Sequence, residues 1–343
     1  MFHNRKISVL FLSLGFIVLI LDTKHAVLYA QEGISVCLRT VIPALFPLFV
    51  ISGFLSPYLM DWKIPGSRLV GRLTGIPSGA ESVFLLGLLG GYPLGAKLIC
   101  ENCEAGNLDI KNARRMMGFC SQAGPAFIFG IIGPLFSSLR CTLLLWANQI
   151  LSAVLVGMLL PKTRASTCQK TISSAKSNSA VISDTVKAMG SICGWIILFR
   201  VLLGFLNRWI LWILPETAQV FTEGILELSN GCLALTEIES PKMRYMLANV
   251  MLSLGGLCIA MQTHSVAQTM GLGLYIPGKL LQTVCSFMLA CLSASFAVKE
   301  TVLLQRWLLL LVASILLLAF AALILKKMVA FKRKLRYNKI SFD

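Results

Sequence analysis

The chain has 343 residues, of which 56% are hydrophobic and 13% charged, and its mean hydropathy is +0.78. That balance excludes an ordinary soluble globular domain and describes a protein that crosses a membrane several times. A formal charge of +16 does not call for nucleic acid here, because lysine and arginine in the short loops of a membrane protein set its orientation.

Apolar runs of the ~20 residues that a bilayer requires fall near residues 7–21, 34–58, 116–138, 139–160, 184–206, 243–262, 274–297 and 304–325. The first follows Arg5 and Lys6 like a secretory signal. Leu28, three positions before a cleavage at Ala30, is a poor fit to the small-residue rule, so the reading is an uncleaved helix followed by an external loop, residues 1–33. Two further apolar runs, near 80–104 and 218–240, are broken in the middle.

The first broken run carries "GGYPLGAK" at residues 90–97. Each arm has about eleven residues, which at 1.5 Å per residue reaches about halfway through a ~30 Å hydrocarbon core. Gly91, Tyr92 and Pro93 form the tip, since proline blocks a continuous helix and glycine permits reversal. A turn at that depth must be enclosed by protein or line a wet cavity. Charge supports two re-entrant hairpins. If each broken run dips in and returns, Arg5, Lys6, Lys63, Arg68, Arg72, Lys111, Arg114, Arg115, the basic Ser-rich linker 161–183 and the basic tail 326–343 all face the cytoplasm. If each crosses once, the linker and the loop around Lys111 face outside.

The second half repeats the plan. "VISGFL" at 50–55 is echoed by "VLLGFL" at 201–206, Gly95 by Gly231, and Gly124 by Gly256. Each half then has three crossings and a hairpin, and an odd number of crossings inverts the second copy. The expected organisation is all-α and polytopic, an inverted repeat with an extra helix at each end. Repeat 1 covers 34–160 with hairpin 80–104, and repeat 2 covers 184–297 with hairpin 218–240. A last crossing lies in 298–325, and the tail 326–343 lies against anionic headgroups.

Four segments carry a resemblance: "IPALFPLFVISGFL" at Ile42–Leu55, "GGYPLGAK", "FCSQAGPAFIFGIIG" at 119–133, and "LELSNGCLAL" at 226–235. They resemble the YlbJ-type sporulation integral membrane proteins, within the nucleoside-recognition "Gate" domain group, over about residues 34–297. The resemblance implies a role in spore formation, in particular of the cortex, in an endospore-forming bacterium. The word "nucleoside" in the group's name reflects domain similarity only.

The candidate site follows from the breaks. Gly91, Tyr92, Pro93 and Gly95 fall on the family's hairpin motif. Lys97 is a cation at membrane depth, read either as a solute or counter-ion contact or as a lysine snorkelling to the interface. Ser121, Gln122, Gly124 and Pro125 interrupt the next crossing and suggest an unwound stretch with free carbonyls. Glu223 and Glu227 share a face, and Ser229, Asn230 and Gly231 read as the second tip. Glu227 is the candidate partner for a coupling H+ or Na+, opposite Lys97, unless its arm is shallow and merely wet. Gly255 and Gly256 break the facing helix or let helices pack closely. Gln262 and His264 follow near its cytoplasmic end, where an interfacial histidine is the plainer reading.

No HExxH, GxSxG or Walker loop is present, and three histidines, His3, His25 and His264, are too dispersed for a metal site. Cys100 and Cys103 make one CxxC without a partner pair. The expectation is a non-enzyme without cofactor or metal, in the cell membrane with both termini cytoplasmic and with homo-oligomerisation left open. It is read as a carrier of a small polar or anionic solute for cortex formation, the alternative being a non-transporting scaffold for spore-envelope assembly.

Overall fold

A computed structural model describes residues 5–56, 58, 67–136, 138–162 and 177–298. Lys63, most of the linker, the expected crossing at 304–325 and the basic tail lie outside the described residues. Among those described, every regular element is helical. Five helical stretches are long and apolar enough to cross a membrane: Thr23–Leu55, Leu139–Leu159, Asn178–Trp209, Pro241–Val266 and Tyr275–Ala297.

Helix α1 (Arg5–Leu21) ends at a one-residue break, where Thr23 Oγ1 bonds back to the carbonyls of Leu19 and Ile20 at 3.0 and 2.8 Å. The stretch after it, expected as an external loop to residue 33, is helical: α2 (Thr23–Val36) runs through a π turn at Cys37–Val41 into α3 (Ile42–Leu55). Its polar residues looked like a loop because their partners are far away in sequence. Glu32 pairs with Arg200 at 2.9 Å, and Arg208 donates to His25 Nε2 at 2.8 Å. Small residues bring α2 against the later helix Asn178–Trp209. A Cβ on Gly33 would lie 3.0 Å from the Cα of Ile197, and one on Gly204 would lie 2.4 Å from the Tyr29 ring.

After the short α4 (Ser67–Thr74), α5 (Glu81–Gly90) and α6 (Leu94–Glu104) pack as a hairpin, with Gly91 at φ 79° and a cis peptide at Tyr92–Pro93. Helix α7 (Ile110–Met117) starts at Asp109, whose carboxylate accepts from the N–H groups of Lys111 and Asn112. It carries Arg115, expected as an orientation-setting loop charge and in fact fully buried. The guanidinium donates to Pro161 O at 3.0 Å and Gly75 O at 3.3 Å, and also to the carbonyls of Thr74 and Gly157. It thereby satisfies orphan carbonyls at the C-terminal ends of α4 and of α9 (Leu139–Leu159).

The crossing expected at 116–138 is not one helix. The chain leaves helical geometry after α7 and resumes at α8 (Pro125–Phe127), which continues as π and 3-10 turns to Phe136. Helix α10 (Asn178–Trp209) begins inside the stretch expected as linker, because Ser177 caps it through Ala180 N–H. The second hairpin also differs. Between α11 (Glu216–Leu226) and α12 (Leu228–Ala234) the break is Glu227, whereas Ser229, Asn230 and Gly231, expected at the tip, lie in the first turns of α12. Gly231 serves close approach rather than a turn, since a Cβ there would lie 2.2 Å from the Cα of Gly224. Helix α13 (Pro241–Leu254) and α14 (Gly256–Val266) meet at Gly255, and α15 (Tyr275–Ala297) closes the described fold.

A buried polar seam joins α9, α13 and α15. Asn148 Nδ2 donates to Tyr245 Oη, Asn249 Oδ1 and Ser293 Oγ, each at 3.1 Å. Gln149 Nε2 reaches Asn249 O and Ser286 Oγ at 3.3 Å. Where lipid offers helices no hydrophobic incentive to associate, such bonds and close packing hold the bundle.

Candidate functional site

The first hairpin clasps the unwound chain through missing side chains. A Cβ on Gly87 of α5 or on Gly95 of α6 would lie 2.2 Å from Cys120 O, and one on Gly124 would lie 2.8 Å from the Cα of Gly91. The unwound carbonyls are therefore held against the hairpin tip. From that tip Tyr92 crosses to the other half, where its hydroxyl donates to Leu252 O at 3.0 Å. Leu252 is in the last turn of α13 and its carbonyl has no intrahelical donor. Gly255, at φ 78°, leaves room for the ring: a Cβ there would lie 3.2 Å from it.

Lys279 of α15 completes the centre. Only 2% of the residue is exposed. Its ammonium lies 2.9 Å from Tyr92 Oη, 3.1 Å from Gln122 Oε1 and 2.8 Å from Gln282 Oε1, and it donates to Ser121 O as well. The network favours the charged form. Tyr92 has given its hydrogen to Leu252, Ser121 O can only accept, and Gln122 is oriented by the bond from its Nε2 to Phe119 O at 2.7 Å. An ammonium ion has the three N–H donors that these acceptors call for, whereas a neutral amine would leave one of them without a donor. Among the described residues no carboxylate lies within ion-pair distance of it. Gln282 Nε2 donates to Ser152 Oγ at 3.2 Å and to Gln122 Oε1, which ties the centre to the polar seam.

Helix dipoles add to the positive potential. Helix α6 begins two residues beyond Tyr92, and α14 begins beside its ring. Each N-terminus carries a partial positive charge and unsatisfied N–H groups. Ser121 Oγ, fully buried beside the ammonium, has no partner. A centre with a fixed cation, helix N-termini and a spare hydroxyl suits an electron-rich or negatively charged group.

Of the residues expected from sequence, Gly91, Tyr92, Ser121, Gln122, Gly124 and Gly255 meet here, with Pro93 and Pro125 opening α6 and the helical segment after the unwound chain. Glu227, Ser229, Asn230, Gly231 and Gly256 form a separate group around the second hairpin. A Cβ on Gly256 would lie 2.8 Å from Gly224 O, so α14 starts against the end of α11. Glu227 is buried, but both carboxylate oxygens cap α12, accepting from Ser229 N–H at 3.1 Å and Asn230 N–H at 2.8 Å. Lys97 does not face it. It pairs with Glu101 at 3.3 Å, one turn along α6, and lies 5.3 Å from the Phe49 ring centroid. Lys97 and Glu101 line a cavity of about 420 Å³ with Asp184, Lys187 and Thr269, away from the Tyr92 centre. Among the described residues no three or more His, Cys, Asp and Glu side chains gather in a group that could hold a metal ion, and Cys100 of the CxxC bonds Glu104 and Thr269.

Lys279, Gln282, Ser152 and Leu252 escaped the sequence reading, which centred on the helix breaks and the hairpin arms. The signal existed: a lysine with a glutamine three residues on, inside an otherwise apolar crossing, is costly in lipid and points to a role.

Broken helices around a buried cation, in a bundle with membrane-crossing helices, define an all-α membrane protein with a polar interior centre. Over 135 residues, 38% of this chain, the sequence is 26% identical to the protein named sporulation integral membrane protein YlbJ from Bacillus subtilis (strain 168). The match spans 32% of that relative's length. No family model matches the chain, and no solved structure matches it significantly.

Proposed function

We propose that this chain is a sporulation integral membrane protein that carries a small polar or anionic solute needed for spore cortex formation, and that Lys279 is its anchor for the solute. The reading draws sporulation from the name of the Bacillus subtilis relative and transport from the centre itself. One observation carries it: a lysine 2% exposed, surrounded by acceptors and lacking a carboxylate, where the first hairpin tip, the unwound chain and the α13–α14 break converge. A membrane interior tolerates such a charge only with compensation, which a negatively charged or strongly accepting solute would supply.

The same reading has two inverted Gate-like repeats, multi-pass in the cell membrane with both termini cytoplasmic, and no catalysed reaction. Its support is that each hairpin meets the break of its own half, Gly91 against Gly124 in the first and Gly224 against Gly256 in the second. The test is complementation of a sporulating strain lacking the gene, using variants that reach the membrane. Lys279→Met and Gln122→Leu are expected to give cortex-defective spores and Lys279→Arg partial rescue. Full rescue by Lys279→Met would leave only the scaffold reading.

A further inference from the structure

Arg115 is buried among helix-end carbonyls that compensate it, but two other buried charges, of opposite sign, lack an ionic partner. Lys279 is the positive one. The negative one is Glu223 on α11, 8% exposed, whose Oε1 accepts from Asn207 Nδ2 of α10 at 2.8 Å. Among the described residues no Lys, Arg or His nitrogen lies within ion-pair distance of it. Arg200, one candidate on the same α10, is committed elsewhere, to Glu32 at 2.9 Å and to Asn230 Oδ1. Glu227, four residues on, is a different case, because two N–H groups at the start of α12 compensate its charge.

Asn207 supplies the second observation. With its Nδ2 on Glu223, its Oδ1 is buried and has no donor. A carboxylate and an unfilled amide oxygen on neighbouring helices are hard oxygen ligands of the kind small cations take. Gln219, one turn back on α11, is a second neutral hydrogen-bond partner of the carboxylate, and the charged side chains acting on it from the surrounding elements are Glu237 just past α12 and Arg200 on α10.

We propose that Glu223 and Asn207 form a site for a monovalent cation, a sodium ion or a proton, and that this ion is the one coupled to solute movement. The coupling role rests on the carrier reading; the cation site does not. Occupation neutralises Glu223 while the solute compensates Lys279, so the loaded protein holds no unpaired buried charge at either place.

The test uses the full chain in phosphatidylethanolamine–phosphatidylglycerol nanodiscs. The thermal midpoint is read in sodium chloride against choline chloride at equal ionic strength, and then from pH 5 to pH 8 in choline chloride. A sodium site raises the parent's midpoint by about 2–4 °C, and the rise disappears in Glu223→Gln but persists in Glu227→Gln and Lys279→Met. A proton site gives no sodium effect but a pH dependence of the midpoint that Glu223→Gln flattens. A midpoint indifferent to both ions, or a response surviving in Glu223→Gln, overturns the proposal. If Glu223→Gln does not fold, Asn207→Leu carries the same comparison. Because Lys279→Met should keep the cation response while losing complementation, failure of this site and failure of the carrier reading give different results.

Discussion

The bond between Lys279 and Tyr92 joins α15 to the tip of the first hairpin, and its strength can be measured. Tyr92→Phe removes an acceptor from the ammonium and the donor of Leu252 O; Lys279→Met empties four acceptors but also removes a buried charge whose desolvation costs several kcal/mol. Neither single change therefore reports the bond alone. A hydrogen bond to a charged group contributes ~1.5–3 kcal/mol, so the double variant should be less destabilised than the sum of the singles by about that amount. The assay is a double-mutant cycle on reversible unfolding in mixed micelles, with Lys279→Met/Tyr92→Phe as the fourth corner. Additivity within ~0.5 kcal/mol, the behaviour of independent sites, would refute the contact.

Other consequences are simpler to check. Gly95→Ala puts a methyl 2.2 Å from Cys120 O and should cost about 1–3 kcal/mol or more in thermal or denaturant unfolding, whereas Gly194→Ala, with nothing within 4 Å, should be neutral or slightly stabilising. Arg115→Lys exchanges a planar fork for a single ammonium that cannot span the ends of α4 and α9. A loss of about 2–4 kcal/mol is expected in the same assay, and an unchanged midpoint would contradict the clamp. Glu227→Ala removes the cap of α12 and should destabilise by about 0.5–2 kcal/mol, with Glu227→Gln retaining part of it. Equal effects of the two would argue against capping.

What could be read from sequence followed from local chemistry. Gly91 and Pro93 dictate a reversal whatever surrounds them, and Gly124 followed by Pro125 marks a helix start after irregular chain. Where the deciding partner is distant, the reading slipped. Glu227 looks like a free carboxylate until the N–H groups of α12 are placed around it, and Gly231 looks like a turn until Gly224 lies against it. Asp22 to Glu32 read as a loop because Arg200 and Arg208, which make that polar stripe a helix face, come far later in the chain. Lys279 sits in an unbroken helix, and only the fold brings Tyr92, Ser121 and Gln122 to it.

The seam through Asn148, Gln149 and Ser286 bears on how the protein is made. Helix α9 is synthesised well before α13 and α15, so its amides enter the bilayer while their partners are still on the ribosome. Each unmatched amide in hydrocarbon is penalised by several kcal/mol. The N-terminal half should therefore linger at the insertion machinery until the later helices arrive, and a nascent chain truncated before residue 241 should be a substrate for membrane proteases.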